Sequence, residues 1–176
     1  MKASNNALRI KAYFEGREYK AYRDPGSKNG LPITIGIGHT GPEVHLGLVW
    51  NDEQIDSAFA KDCEKFEKIV NGAVKVTLNQ WQFDALVCIV FNVGPGLKGV
   101  KDGIVQLKNG NPSTLLRKLN AGDYSGAQAE FIRWCFNDGK KMLGLYRRRY
   151  AESRLFGGES AEFAINAAAK INRIPE

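Results

Sequence analysis

The stretch that decides the fold reads Phe14-Glu15-Gly16, then Tyr22-Arg23-Asp24-Pro25-Gly26, then Thr34-Ile35-Gly36-Ile37-Gly38-His39-Thr40. The first segment closes a run with apolar residues at helical spacing, and its glycine suits a helix C-terminus. The last segment alternates apolar and small residues, which is typical of short strands. The sequence therefore predicts a helix over residues 4–15, followed by a small antiparallel sheet of two or three strands within residues 17–46.

Two carboxylates in this stretch lie in contrasting local settings. Glu15 is expected in the last turn of the first helix, where the helix dipole and partial burial both favour the protonated acid. Asp24 is expected to stay ionised in a polar loop. Glycoside hydrolysis needs this asymmetry, because one carboxyl protonates the leaving oxygen while the other handles water or a cationic sugar. The alternative is a surface glutamate beside a turn aspartate, which Asp-Pro-Gly alone would favour.

Size and composition indicate a globular chain. Its 176 residues, 43% of them apolar, suffice for one domain or for two small lobes that share a helix. No stretch approaches the roughly 20 apolar residues of a membrane span. The first residues lack the apolar core of a signal peptide, so we expect the chain to fold in the cytoplasm.

The net charge of +6 is unevenly distributed. Residues 1–72 carry ten Lys/Arg and ten Asp/Glu, whereas residues 73–176 carry fifteen against nine. A basic second part suggests an anionic polymer as partner, and charge alone leaves nucleic acid, acidic lipid and bacterial wall open.

The sequence predicts no cofactor and no metal. Cys63, Cys88 and Cys135 are far apart and show no CxxC spacing, which favours buried, reduced thiols. The two histidines, His39 and His45, lack the companions that a metal site requires.

The rest of the chain is predicted to be mostly helical, which makes the fold class α+β. Asn51 and Gln54 resemble a capping box for a second helix that ends near Asn71, and Thr77 and Gln80 repeat that signal. The further predictions are a buried helix over 81–93, an unassigned segment at 97–112, short helices over 113–121, 124–136 and 143–156, a break at Asn137-Asp138-Gly139, and an alanine-rich helical tail over 161–172.

An ordered series of motifs links the chain to a known family. Beyond the opening stretch, the series consists of Gln82-Phe83-Asp84-Ala85-Leu86-Val87, Phe91-Asn92-Val93-Gly94, Ser113-Thr114-Leu115-Leu116-Arg117-Lys118-Leu119-Asn120, Gly139-Lys140 and Gly144-Leu145-Tyr146-Arg147-Arg148-Arg149. With these motifs, over roughly residues 7–156, the chain resembles the phage-type lysozymes, the endolysin muramidases of tailed bacteriophages.

The resemblance implies a lysozyme-like fold and a catalytic set. A lobe with the small sheet (about 1–72) would be joined by a long helix to a helical lobe (about 73–157), with a tail at 158–176. Glu15 would be the general acid, while Asp24 and Thr34 would position or activate water. Thr34 follows Asp24 by ten residues where the family usually has six, so the intervening loop is expected to be longer. The 97–112 connection is also longer than usual.

Four residues are candidates for substrate binding: Asn92, Gly36, His39 and Arg148. The alternative for Asn92 is a helix cap, and for Thr34 a strand residue selected for packing. For His39 we favour an imidazole that bonds locally. Among Arg147, Arg148 and Arg149, one arginine is expected to pair with Glu152, another to face the acidic site, and the remainder to form a solvated basic face.

The resemblance implies an endolysin that hydrolyses the β-1,4 bond between N-acetylmuramic acid and N-acetylglucosamine in peptidoglycan. It further implies a monomer, made in the host cytoplasm and released through a separate holin to act in the periplasm, without nucleic acid as partner. Anionic outer-membrane lipid is a second expected partner, and the tail could act on it as an amphipathic helix. The alternatives are a lytic transglycosylase and a non-catalytic, basic wall-binding module.

Overall fold

The computed structural model describes residues 1–23 and 30–175, and it confirms the α+β class. The elements in chain order are α1 (Asn5–Glu15), β1 (Glu18–Arg23), β2 (Ile33–Gly36), α2 (Asp52–Ala73), α3 (Gln80–Val93), α4 (Thr114–Asn120), α5 (Tyr124–Glu130), a 3-10 turn (Phe131–Trp134), β3 (Phe136–Asn137), β4 (Lys140–Lys141), α6 (Leu143–Phe156) and α7 (Ala161–Ala169). Within the described ranges, no helix has the length and apolarity needed to cross a membrane.

The chain forms two compact units, one of residues Lys11–Lys65 and one of Met1–Ile10 with Phe66–Glu176. The lobes predicted from the sequence, which divide near residue 72, stay a prediction.

The Lys11–Lys65 unit carries the predicted small sheet. Strands β1 and β2 are antiparallel, with Glu18 opposite Gly36 and Tyr22 opposite Thr34, and a register shift lies between those pairs. Ile35 then pairs with His39 through an isolated bridge, which turns the chain back at the end of β2.

Local signals in the sequence set the ends of the first two helices. Helix α1 stops at Gly16, whose φ of +84° lies in the left-handed region and whose N–H donates to Ala12 O at 3.1 Å. The capping box before α2 is confirmed, because Asn51 and Gln54 exchange two 2.9 Å bonds between side chain and backbone. Helix α2 runs two residues beyond the predicted Asn71, to Ala73.

Helix α3 is the buried centre of its unit, as predicted. Residues 83–90 are all buried, and Gly94 ends the helix with its N–H on Val90 O at 2.9 Å. The predicted cap at Thr77 is wrong. Asn79 caps the helix instead, because its side chain accepts from Gln82 N while the Gln82 side chain accepts from Asn79 N.

The predicted helix over 124–136 is too long. Helix α5 ends at Glu130 and continues as a 3-10 turn, after which the predicted break at residues 137–139 covers the last residue of β3 and the two-residue turn of the β3–β4 hairpin. Asp138 and Gly139 both have positive φ, at 47° and 76°, as the tight turns that match the twist of a two-stranded hairpin require.

The C-terminal helix is packed within its unit. Helix α7 ends at Ala169, short of the predicted residue 172, and it contacts α6. Ala161, Ala164 and Ala168 are fully buried, so the small-residue face of the helix is used for packing. An amphipathic membrane helix would need that face to be available.

The segment that the sequence left unassigned, residues 97–112, is a compact loop. Its backbone is tied to the end of α3 by bonds from Ile104 N to Gly94 O and from Gln106 N to Pro95 O, at 3.1 and 2.8 Å. Gly96 lies so close to this loop that a Cβ there would stand 1.8 Å from Gln106 O.

This close approach predicts that Gly96→Ala is strongly destabilising. The added methyl would meet backbone, and the φ of +92° is strained for alanine, so we expect a loss of about 3 kcal/mol in the free energy of unfolding. Gly99 is the matched control, because it shares the positive φ but has nothing within 4 Å, and Gly99→Ala should cost about 1 kcal/mol. Denaturant unfolding measures both values, and equal losses would contradict the packing argument.

Candidate functional site

Of the two predicted catalytic carboxylates, Glu15 lies within the described residues and Asp24 does not. Glu15 is the last residue of α1 and is half-buried, as the sequence predicted, and Gly16 turns the chain away directly after it. Asp24 lies outside the described residues, so its setting stays a prediction. It follows Arg23, the last residue of β1.

Thr34 is a buried residue of β2, with 7% of its surface exposed. Its Oγ1 donates to Pro32 O at 3.3 Å, and across the sheet it stands opposite Tyr22. The hydroxyl proton is therefore directed at the backbone, which leaves the lone pairs of Oγ1 to accept a further hydrogen bond.

Gly36 ends β2 at a point where a side chain does not fit easily. A Cβ there would lie 3.4 Å from Ile55 Cγ2 and 3.5 Å from Trp50 Cζ3, and its φ is +67°. Glycine thus permits the close packing of the strand end on α2 and on the loop before it.

His39 is held between two carboxylates, only one of which is near it in the chain. Its Nε2 contacts Glu43 Oε1 at 2.9 Å and its Nδ1 contacts Asp62 Oδ2 at 2.8 Å. Burial lowers the pKa of the imidazole, but the hydrogen bonds to Asp62 and Glu43 outweigh it, so the pKa is raised above its ordinary value. Bonding of Glu43 to its own backbone and to His39 lowers the pKa of that carboxyl.

The remaining predicted residues, Asn92 and Arg148, belong to the other unit. Asn92 is exposed, and its Oδ1 accepts from Arg149 Nη2 at 2.9 Å. Arg148 is buried, and its Nε donates to Glu152 Oε1 at 3.2 Å. The same carboxylate receives Arg149, from Nη2 at 3.0 Å, and Glu152 and Arg149 are both fully buried.

The arginine cluster confirms one expectation and corrects another. An arginine pairs with Glu152 across a helical turn, as predicted, and a second arginine joins it. The solvated basic face is wrong, because Arg148 and Arg149 are buried and Arg147 Nε donates to Ile171 O at 2.8 Å.

Sequence reasoning missed Asp62, the partner of His39. It is an ordinary acidic residue of α2, and no spacing rule links it to a histidine 23 positions earlier. Among the residues that the structure describes, no group of three His, Cys, Asp or Glu side chains is arranged to hold a metal ion.

The chain is similar to known proteins over most of its length. A family model described as phage lysozyme matches residues 12–152. The chain is 36% identical over 160 residues to an endolysin of Acyrthosiphon pisum secondary endosymbiont phage 1, which covers 89% of this chain and 98% of that protein. It is 37% identical over 161 residues to an endolysin of Bacillus phage B103, covering 91% of this chain and 56% of that longer protein.

A solved structure agrees with these relatives. A mutant of the P22 lysozyme superposes with a TM-score of 0.71 at 32% identity, over 89% of this chain and 98% of that one.

The His39 pairs predict a stability that depends on pH. Because the His39 pKa is raised, the ion pairs of His39 contribute fully to the free energy of unfolding below the ordinary pKa of 6.5. This contribution is lost as the pH rises through the raised pKa. Because the Glu43 pKa is lowered, its contribution is present above 4.5 and is lost as the pH falls. Asp62→Asn should therefore lower the free energy of unfolding most at about pH 5.5, on the order of 1 kcal/mol, and markedly less at about pH 9.

Denaturant unfolding at several pH values measures this difference. Glu64→Gln, an exposed change on the same helix, is the control and should leave the profile unchanged. A cost of Asp62→Asn that does not vary with pH would contradict the assignment to a protonated imidazole.

The buried carboxylate of α6 yields a second stability prediction. Glu152→Gln removes the negative charge with which the two buried guanidinium groups of Arg148 and Arg149 are paired. We therefore expect a loss of about 3 kcal/mol in the free energy of unfolding. Glu162→Gln, an exposed change in α7, should cost well under 1 kcal/mol. Similar losses for the two variants would show that the buried cluster contributes little.

Proposed function

This chain belongs to the phage lysozyme family, and on that premise we propose that it hydrolyses the β-1,4 bond between N-acetylmuramic acid and N-acetylglucosamine in bacterial peptidoglycan. The observation that carries the proposal is the position of Glu15, which lies within the matched residues 12–152, at the end of α1 and half-buried. A carboxyl in that setting suits a general acid, because it is held at the end of a helix and its side chain is still partly accessible to a bound glycan.

In this mechanism Glu15 protonates the glycosidic oxygen as the bond to the sugar breaks. Asp24 takes the proton of the attacking water or stabilises the cationic sugar in the transition state. Thr34 orients the water through Oγ1, whose lone pairs are available because its proton is directed at Pro32 O. The water oxygen ends up bonded to the anomeric carbon, so the products are two shorter glycan strands, one of which carries a new reducing end.

The four substrate-binding residues would act in two ways. Asn92 is exposed, and because its Oδ1 accepts from Arg149, its amide N–H groups are the part that can donate to a sugar carbonyl or carboxylate. Gly36 and Arg148 are buried and the His39 side chain is 12% exposed, so these residues would hold the surrounding structure in the binding geometry.

The cellular setting follows from the same premise. A monomeric endolysin made in the host cytoplasm and released through a separate holin would reach the wall from the periplasm. The basic excess in residues 73–176 would draw it to the anionic wall and to anionic outer-membrane lipid, and salt would weaken that attraction.

Clearing of purified peptidoglycan tests the assignment of the acid. Glu15→Gln keeps the size of the side chain but removes the acidic proton, so we expect the rate of clearing to fall by about a thousandfold. Asp24→Asn should also reduce the rate strongly. Glu18→Gln, an exposed change three residues after Glu15, is the matched control and should clear at the wild-type rate.

Analysis of the products separates hydrolysis from the alternatives. New reducing ends support the proposal, whereas anhydro-muropeptides would identify a lytic transglycosylase. Full clearing by Glu15→Gln would remove the general acid from the mechanism. An absence of clearing by the wild-type protein, with binding retained, would indicate a wall-binding module.

A further inference from the structure

Arg17 attaches the end of α1 to α2. It is the second residue after Glu15, and its guanidinium contacts two carboxylates at once. Nη2 lies 2.7 Å from Asp52 Oδ1, Nη1 lies 2.9 Å from Asp56 Oδ1, and Nε donates to Asp52 Oδ1 at 2.9 Å. A planar guanidinium that reaches two carboxylates is held in one orientation as well as in one place. The chain directly after Glu15 is thus fixed to the first two turns of α2.

Tyr19 supports the same contact. Its hydroxyl donates to Asp52 Oδ1 at 2.9 Å, and its backbone O accepts from Trp50 N at the same distance. Hydrogen bonds from Tyr19 and Arg17 lower the pKa of the Asp52 carboxyl, so this carboxylate stays ionised near neutral pH. Arg17 and Tyr19 flank Glu18, the first residue of β1, and the start of that strand is therefore attached to α2.

The turn of α1 before Glu15 is attached to α2 as well. Lys11, one helical turn earlier, is fully buried, and its ammonium lies 4.4 Å from the centroid of the Phe59 ring. Asp52, Asp56 and Phe59 follow one another at spacings of four and three residues, which places them on one side of α2. A single face of α2 therefore holds the chain on both sides of Glu15.

The same part of α2 also holds the end of β2, two residues beyond Thr34. A Cβ on Gly36 would lie 3.4 Å from Ile55 Cγ2, so the strand end and the helix are in close contact there. Gly36 is also paired with Glu18 across the sheet. Because α1, β1 and β2 all contact the first two turns of α2, these two turns determine the position of Glu15 relative to Thr34.

The contacts of Arg17 are too exposed to contribute much to stability. The side chains of Asp52 and Asp56 are 71% and 50% exposed, and ion pairs at such sites contribute little to the free energy of unfolding. The rate of a reaction is far more sensitive to the place of a reacting group, since a misplacement of about 1 Å can lower it about a hundredfold. Removal of the Arg17 guanidinium is therefore expected to affect catalysis much more than folding.

We propose that Arg17 is a positioning residue for Glu15, because it fixes the end of α1 on α2 and so places the carboxyl relative to Thr34. The inference rests on the proposed function for the chemical role of Glu15. Arg17 itself is assigned no contact with the substrate or with the reacting atoms. It acts through the backbone of Gly16, whose N–H donates to Ala12 O in the last turn of α1.

Kinetics on soluble, peptide-free glycan strands test this role. Arg17→Gln should lower kcat about tenfold and leave KM within about twofold of the wild-type value, because the acid is displaced while the binding residues are not. Arg17→Lys keeps the charge but lacks the planar fork that reaches both carboxylates, so its kcat should lie between those of Arg17→Gln and the wild type. Both variants should unfold at nearly the same denaturant concentration as the wild type.

Removal of the two acceptors should reproduce the effect. Asp52→Asn/Asp56→Asn should lower kcat by a similar factor, and adding Arg17→Gln to this double variant should lower it no further. Lys20→Gln is the matched control, because it removes one positive charge from an exposed position of β1 and should leave kcat unchanged. An equal loss of kcat in Lys20→Gln, or additive losses in the triple variant, would overturn the proposal.

Amide hydrogen exchange tests the placement without any cleavage. Arg17→Gln should speed exchange of the Gly16 N–H severalfold, because the end of α1 is no longer held on α2, and should leave exchange of Val87, in the buried run of α3, unchanged. A wild-type protein that cleaves no glycan would refute the proposed function, whereas the exchange rates would still decide whether Arg17 fixes the end of α1. Unchanged exchange together with unchanged kcat would refute the positioning role. A rise in KM alone would assign Arg17 to substrate binding and would also overturn it.

Discussion

Burial of helix α3 on all sides is the constraint on which its unit depends. Residues 83–90 are buried without interruption, and each large apolar side chain among them contributes about 1.5–3 kcal/mol relative to exposure. The one charged residue in the run, Asp84, is accepted there because Ser4 N and Gln80 Nε2 donate to its carboxylate at 2.9 Å. The helix can therefore be surrounded by protein without leaving a charge unsolvated.

The same constraint explains the charged cluster on α6, which packs against α3. Arg148 and Arg149 enter a region closed to water, where a guanidinium group without a counter-charge would be very costly. Glu152 supplies that counter-charge to both. The cluster reaches the surface through the bond from Arg149 to Asn92, so the orientation of an exposed amide is set by a buried ion pair.

Close packing of backbone against backbone holds the 97–112 loop of this unit in its shape. Gly96 and Gly103 approach each other so closely that a Cβ on Gly103 would lie 2.0 Å from Gly96 N. The 97–112 loop is folded upon itself by such contacts and by its own hydrogen bonds, although it contains no helix. A long connection can thus be rigid when glycine removes the steric barrier.

The sequence by itself determined the helix ends at Gly16, Asn51 and Gly94, the buried helix α3, the small sheet and the place of Glu15 at the end of α1. These features depend on residues within a few positions of one another, where capping, periodicity and turn geometry act. Tertiary structure alone decided the pairing of His39 with Asp62, the burial of Arg148 and Arg149, and the attachment of Arg17 to α2. Such contacts join groups that are distant in the chain or decide which side of a helix faces water, and both depend on packing that no local pattern records.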